Sequence, residues 1–526
     1  MPDARMIHTP SSVDHRAVIE TPPRHAVTKR VLAHTYTCAH EGVETRLVRV
    51  EARVTRGLPQ LIIVGLADAA VREGKERVRS AIRAATGESP GSERIVVNLS
   101  PASMRKGGAA FDLAIAMALL GARGVCDPER LASTVYAGEL GLDGTVRPVP
   151  GTLPAALAAS RAGKSRIVVP DSNAAEAALV DDIEVYAAGS LAAAIEMEQC
   201  GFSVAAAAAD KVSTVAGVGR SPAKNFAQVR GQTIARRALE IAAVGGHHTL
   251  MIGPPGSGKT MLASRLPTIL PALSRSEAIE ATSIHSIAGL HSDGALLRDP
   301  PFRSPHHTTS GAGMVGGGSI PSPGEVSLAH RGVLFLDELP EFAPSVLNHL
   351  REPLEDRCLT ISRATRRLCF PAAFMLVAAM NPCPCGYRGT EVRECRCSDQ
   401  AVSRYHSRVS GPLLDRVDLF IEVPRVEFGE LTQRRPAENS ETIRQRVVAA
   451  RRVLTDRKEN PLQTAGAARE LLGEAAARLG LSARGVRRVE RVAASIAALD
   501  GRAPTCAADI SEALQYRPTL EMPALS

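Results

Sequence analysis

Three short, almost wholly apolar runs punctuate the middle of the chain: His248 to Ile252, Val333 to Leu336 and Phe374 to Ala379. Each is four to six residues long and stops at turn-forming or polar residues, the pattern of strands buried within a sheet. Ahead of the first run, Gln232 to Ala243 carries apolar residues at helical spacing. Residues 31–205 alternate strand-like and helix-like stretches, a mixed α/β pattern. From 431 to 526 the pattern is helical and rich in Arg and Ala. Residues 1–30 are polar, with Pro and His, and read as a disordered leader. The Ala-rich stretch Val204 to Asp210 reads as a joint. The expected fold is therefore α/β in three parts: residues 31–205, a central unit 206–430 and a helical end 431–526. No repeat at solenoid spacing interrupts this division.

Length agrees with it, because 526 residues exceed what one hydrophobic core organises, at roughly 100 to 200 residues per domain. The hydrophobic fraction of 44% and charged fraction of 22% are those of a soluble globular chain. No apolar run reaches the ~18 residues that span a bilayer, and the leader lacks the apolar stretch of a secretion signal, so no membrane partner and a cytoplasmic location are expected. The formal charge of +8 suits either simple solubility or a polyanionic partner. With no Trp, six Tyr and ten Phe, a row of aromatic platforms for stacked bases is disfavoured, and any nucleic acid would be gripped mainly by its phosphates.

The first apolar run opens into Gly253-Pro254-Pro255-Gly256-Ser257-Gly258-Lys259-Thr260. This is a complete P-loop between a strand and a helix. Its glycines let backbone N–H groups wrap phosphates, Lys259 reaches the β and γ oxygens, and the Thr260 hydroxyl ligates magnesium. The second run ends in Asp337-Glu338, placing one carboxylate for the magnesium shell and one to polarise an attacking water. The third run leads to Asn381, which can orient that water. These residues point to ATP and Mg2+ as ligands and to phosphoryl transfer as the chemistry.

In this chain order Asn381 matches sensor 1 of the AAA+ ATPases. The segment Gly411 to Asp418 resembles the one that supplies an arginine finger, here Arg416, to a neighbouring subunit's γ-phosphate. Leu481-Ser482-Ala483-Arg484 resembles sensor 2, with Arg484 reaching the nucleotide. Either arginine could instead be an ordinary surface charge, although the functional reading is favoured for both. Three further runs narrow the likeness: Ser304-Pro305-His306-His307-Thr308-Thr309-Ser310, Asn381-Pro382-Cys383-Pro384-Cys385-Gly386 and Pro412-Leu413-Leu414-Asp415-Arg416. With them the chain after residue 30 resembles the magnesium-chelatase-like AAA+ branch of the ComM/YifB family. That resemblance implies a homo-hexameric ring, DNA (single-stranded, duplex or branched) as partner, and ATP-driven branch migration or helicase activity in homologous recombination of incoming DNA during natural transformation.

The N-terminal region bears a second resemblance. Pro148-Val149-Pro150-Gly151 and the stretch Ala162 to Pro170 are similar to the proteolytic domain of Lon proteases, which needs a Ser activated by a Lys. Aligned on Lys106-Gly107-Gly108, the Ser position holds Ala110 and the Lys position Leu153. A scaffold or DNA-handling role then replaces proteolysis. Ser100 and Ser103 read as strand-to-loop caps.

Between the P-loop and the acidic strand, residues 284–323 are rich in Gly, Ser, His and Pro. Arg303, His306 and His307, beside a Gly-rich stretch from Gly311 to Gly318, suit contact with a phosphate backbone; the vicinal histidines equally suit a metal or an internal loop contact. Cys383, Cys385, Cys395 and Cys397 form C-x-C-x₉-C-x-C, fitting a structural Zn2+ site, a set of reduced thiols or a redox pair. Two rival functions stay open: a chelatase-type motor or regulatory ATPase that does not act on DNA, and an ATP-dependent protease, the latter disfavoured by Ala110 and Leu153.

Overall fold

The computed structural model describes residues 32–202 and 224–517, apart from positions 56 and 105 and the segments 89–92, 292–293, 318–321, 364–365, 391–392, 427–428, 430–436 and 459–465. The leader, the Ala-rich joint and the start of the helical end at 431 lie outside the described residues. The chain forms two compact units, centred on residues 32–202 and 224–517.

The first unit is built on a seven-stranded sheet, in the spatial order Gln60–Val64, Arg94–Ser100, Glu44–Thr55, Leu32–Glu41, Thr134–Tyr136, Arg166–Val169 and Glu184–Ala187. Strict alternation shapes the long strand Glu44–Thr55: Val48, Val50, Ala52 and Val54 are buried, whereas Arg49, Glu51 and Arg53 are not. The helix Asp112–Ala122 is buried at every position, so it has no polar face, and Asp112 inside it is held by Arg77 at 2.6 Å. Ala110 lies in the short turn Ala109–Phe111 and Leu153 is wholly buried. Neither side chain offers a nucleophile or a base.

The second unit is organised by a five-stranded, wholly parallel sheet in the order Phe302–Arg303, Val333–Leu336, Met375–Met380, Thr249–Ile252 and Leu419–Glu422. The three runs picked out by sequence are its central strands, shifted by no more than one residue from their expected bounds. Apart from Thr249 they are apolar, because both faces are covered. Met251, Phe335, Val377 and Ala379 enter one core, while Leu250, Ile252, Leu334, Leu336, Leu376 and Ala378 enter the other.

The helix Thr233–Gly245 covers the first face and ends at Gly246, whose φ of 66° terminates it. Helices Ser440–Lys458, Gly466–Leu479, Ala483–Leu499 and Ala507–Gln515 contribute Val447, Leu472, Val489, Val492, Ile496 and Ile510 to that same core. The helical end and the sheet therefore share one hydrophobic interior. In Ala483–Leu499 the Ser482 hydroxyl caps the first turn, Val489, Val492 and Ile496 face inward, and Arg484, Arg488 and Arg491 follow one another at helical spacing.

Part of the Gly-rich stretch forms regular structure. Gly311–Val315 is a short helix capped by Ser310, with Met314 fully buried. One large apolar side chain, whose burial is worth roughly 1.5–3 kcal/mol, anchors a segment whose composition suggests no core at all. Among the described residues, no helix is long and apolar enough to cross a membrane.

Candidate active site

Parallel pairing sets Ile252 opposite Met380 and Leu336 opposite Ala378, so the residues after each strand emerge at the same edge of the sheet. There the P-loop, the Asp337-Glu338 pair and Asn381 converge, at the carboxyl ends where α/β sheets bind ligands. Gly253 starts the P-loop where a Cβ would stand 2.1 Å from the Val423 carbonyl, so no larger residue fits this crossing.

Lys259 is 8% exposed, and its ammonium donates to the carbonyls of Gly253 at 2.6 Å and Pro254 at 2.9 Å and to Asn381 Oδ1 at 3.2 Å. Burial pushes its pKa down, while the carboxylates of Asp337 and Glu338 oppose the shift. The Thr260 hydroxyl donates to Asp337 Oδ2 at 2.6 Å. A hydroxyl and a carboxylate so close form the hard oxygen donor set that magnesium prefers. Asp337 also accepts the Glu338 N–H at 3.0 Å, and Glu338 takes a left-handed backbone, φ 52° and ψ 48°, that non-glycine residues seldom adopt.

His307 brings its Nδ1 within 3.6 Å of Glu338 Oε2; its ring lies 4.1 Å from that of His306 and meets Phe342 edge-on. The pairing of Phe302–Arg303 with Val333–Leu336 places the segment after the former beside the acidic end of the latter. His306 meets Thr308 at 2.9 Å, and Arg303 makes a two-pronged contact with Glu325, 2.7 Å on each prong. As a phosphate ligand Arg303 would first have to leave that carboxylate.

Sequence reasoning missed a cleft beside the P-loop, lined by Val229, Gln232, Gly258, Met261, Leu262 and Val426. Gln232 binds across it, from its side-chain amide to the carbonyls of Ser257 at 3.2 Å and of Pro424. It is a small, mostly apolar slot. The only local signal is Gln232 just before the helix, and Val426 comes from a segment far along the chain.

Arg416 and Arg484 come together, away from the hydrogen bonds of the P-loop. Arg416 Nη2 lies 2.7 Å from Glu355 Oε1 and its other terminal nitrogen donates to the Pro412 carbonyl; Arg484 Nη1 lies 3.6 Å from the same Glu355 oxygen. Asp418, two residues beyond Arg416 and 2% exposed, accepts the His248 N–H at 3.0 Å. It also has Arg488 at 3.8 Å and Arg491 at 3.9 Å. Two acids thus tie the helix that carries Arg484 to the segment that carries Arg416.

The thiols of Cys383, Cys385, Cys395 and Cys397 all lie within 4.8 Å of one another, with 3.3 Å between Cys383 and Cys385 and 3.6 Å from each of these to Cys395. Four thiolates about 2.3 Å from a zinc ion stand ~3.8 Å apart, so the cluster fits that metal. The Tyr387 backbone N–H and the neighbouring Cys383 thiol hold Cys385 down at about 6. Against the Cys397 backbone N–H, desolvation and the Cys385 and Cys383 thiols push Cys395 up to about 12, and against the Cys385 backbone N–H the Cys385 thiol raises Cys397. One thiolate therefore forms readily, whereas Cys395 and Cys397 need a cation beside them. The cluster adjoins the P-loop: Gly386, φ 85°, lies where a Cβ would be 2.6 Å from Pro255 Cδ.

Comparison with known proteins matches this layout segment by segment. The model for magnesium chelatase, subunit ChlI, matches residues 225–431, that for subunit ChlI of Mg-chelatase 50–173, and that for the ChlI C-terminal part 437–517. Competence protein ComM of Haemophilus influenzae is 41% identical over 508 residues, covering 92% of this chain and 97% of that protein. YifB of Escherichia coli K12 is 40% identical over 501 residues, again 92% and 97%. Lon protease 2 of Bacillus subtilis is 33% identical over 148 residues, 27% of each chain.

Proposed function

The chain belongs to the ComM/YifB family of magnesium-chelatase-like AAA+ proteins, and from that premise we propose that it is an ATPase driving a homo-hexameric ring along DNA. Its task is to move branch points during homologous recombination of incoming DNA in natural transformation. The observation that carries the ATPase reading is the convergence of Lys259, Thr260, Asp337 and Asn381 within direct hydrogen bonds at one sheet edge. The DNA reading is supported by the likeness to a competence protein and by the basic, aromatic-poor composition.

In this mechanism the backbone of residues 253–260 cradles the phosphates, and the apolar slot takes the base. Lys259 exchanges its carbonyl partners for β and γ oxygens, whose charge compensates a cation that burial disfavours. Thr260 and Asp337 are the groups that would hold magnesium, which offsets phosphate charge when bound. Glu338, aimed by its backbone, accepts a proton from the attacking water as Asn381 orients it. Arg416 acts on a neighbouring copy's γ-phosphate, and Arg484 responds to the nucleotide from the same face of the molecule. Exchange of base pairs at a junction is nearly neutral in energy, so ATP supplies direction rather than net melting.

Measuring ATPase with single-stranded, duplex and four-way-junction DNA, together with conversion of a labelled junction by wild type and Glu338→Gln, tests the proposal. Junction-stimulated hydrolysis and ATP-dependent conversion are expected. A chelatase-type motor acting on another protein is favoured by the names of the three matched models. Active ATPase without any response to DNA would put that reading ahead.

A further inference from the structure

Along residues 383–398, only Cys383 and Gly386 are buried among the described positions. One is a candidate metal ligand and the other is the point of contact with the P-loop. The segment therefore has no hydrophobic core of its own. Besides surface contacts such as Arg388 with Asp399 at 2.9 Å, what orders it is the set of four thiols on one side and the P-loop on the other. The link is short. Asn381, which accepts from the Lys259 ammonium at 3.2 Å, is two residues from Cys383, and the Pro382 carbonyl between them lies 3.0 Å from His406 Nε2. Gly386 then donates its N–H to the Cys383 carbonyl at 2.9 Å, closing a turn that lays the glycine flat against the Pro255 ring. A Cβ there would approach Pro255 Cδ to 2.6 Å and Cγ to 2.7 Å, so the fit tolerates no side chain.

From this geometry we propose that the four-cysteine loop and the nucleotide site are one thermodynamically coupled unit, in which metal on Cys383, Cys385, Cys395 and Cys397 tightens ATP binding and ATP tightens metal binding. The inference rests on the zinc and nucleotide readings of these two sites. A bound metal folds a loop that lacks a core and fixes Gly386 under Pro255 and Asn381 beside Lys259. Nucleotide orders the same P-loop from the opposite side. Because each ligand favours the same arrangement, the two affinities are raised by one common factor.

The test uses the full-length protein and zinc as the probe. Zinc affinity is measured by equilibrium competition with a chromophoric chelator, with and without a non-hydrolysable ATP analogue; affinity for a fluorescent ATP analogue is measured on zinc-loaded and chelator-stripped protein, with circular dichroism to show that the stripped chain stays folded. Both factors should be equal and roughly fivefold or more, within the usual range of coupling between sites. Pro255→Ala, which removes the ring from the contact, should keep one zinc per chain yet bring the factor towards one, and Gly386→Ala should weaken both ligands together. One zinc per chain with the same affinity whether or not nucleotide is present would overturn the coupling and leave the metal site standing. Coupling undiminished in Pro255→Ala would overturn the route through Gly386. Absence of zinc at micromolar metal would overturn the metal reading and this inference together, leaving nucleotide affinity as a separate result.

Discussion

Arg416 and Arg484 share an acceptor: the same oxygen of Glu355 stands 2.7 Å from one guanidinium and 3.6 Å from the other. Arg484 is exposed there, whereas the Arg416 side chain is only 10% exposed, so to act as a finger it would first have to turn out from Glu355. Arg416→Ala should lose about 10³-fold or more in ATPase alone, yet recover part of it when mixed with Lys259→Ala, because an interface then pairs an intact P-loop with an intact finger. Turnover per chain should also rise with protein concentration. Mixtures shown to co-assemble but without recovery would count against action in trans.

Glu355→Gln keeps the side chain's shape and removes its charge, so both arginines lose their anchor together. The expected result is a fall in kcat of roughly tenfold, about 1.4 kcal/mol, with KM for ATP little changed. Steady-state kinetics separate the two parameters, and a raised KM with unaltered kcat would contradict the assignment.

At the nucleotide itself, Lys259→Ala should abolish turnover, and near-normal hydrolysis would sink the site. Glu338→Gln should bind a fluorescent ATP analogue like wild type while hydrolysing at least about 100-fold more slowly, the scale of losing a general base. Loss of binding in that variant would indicate damage to the fold instead.

His248 ties stability to pH. Its Nδ1 accepts the Leu376 N–H at 3.1 Å, which requires a neutral ring, and burial pushes its pKa from 6.5 to about 4. The folded state binds fewer protons than the unfolded one between these values. Its contribution, of order 3 kcal/mol, is fully present above pH ~6.5 and is lost as pH falls towards 4. Denaturant midpoints measured from pH 4.5 to 7 should climb, and in His248→Gln the climb should be shallower.

With so few aromatic side chains, the DNA proposed as partner would be held by Arg, Lys and backbone donors on phosphates. Raising salt from about 50 to 200 mM should weaken binding by ~10³-fold if six or more phosphates are neutralised. Fluorescence anisotropy on labelled DNA gives the slope directly, and a flat salt response would remove the phosphate-grip reading.

The central strands were legible because each is a short apolar run buried on both faces, a requirement that leaves its mark on every residue. The P-loop was legible because its chemistry is local. Contacts made across long sequence separations left no such mark. Nothing around Glu355 announces that it receives two distant arginines, and the slot formed with Val426 depends on which strand lies beside the P-loop strand. His307 could be read as a loop histidine suited to a phosphate, yet only the pairing of a two-residue strand, Phe302–Arg303, brings it to Glu338. Gly386 gave no hint of Pro255, since a glycine's reason is usually what it must avoid.

The left-handed backbone of Glu338 has a consequence for any attempt to improve the protein by selection for robustness. Such a conformation costs a residue with a Cβ roughly 1–2 kcal/mol relative to glycine, with asparagine intermediate. A library screened for heat resistance alone should thus enrich Gly or Asn at 338, giving sturdier molecules that, with the proposed base gone, hydrolyse ATP at least about 100-fold more slowly. Laboratory evolution of this scaffold needs a selection that reads turnover, because at this position the thermometer and the reaction favour different residues.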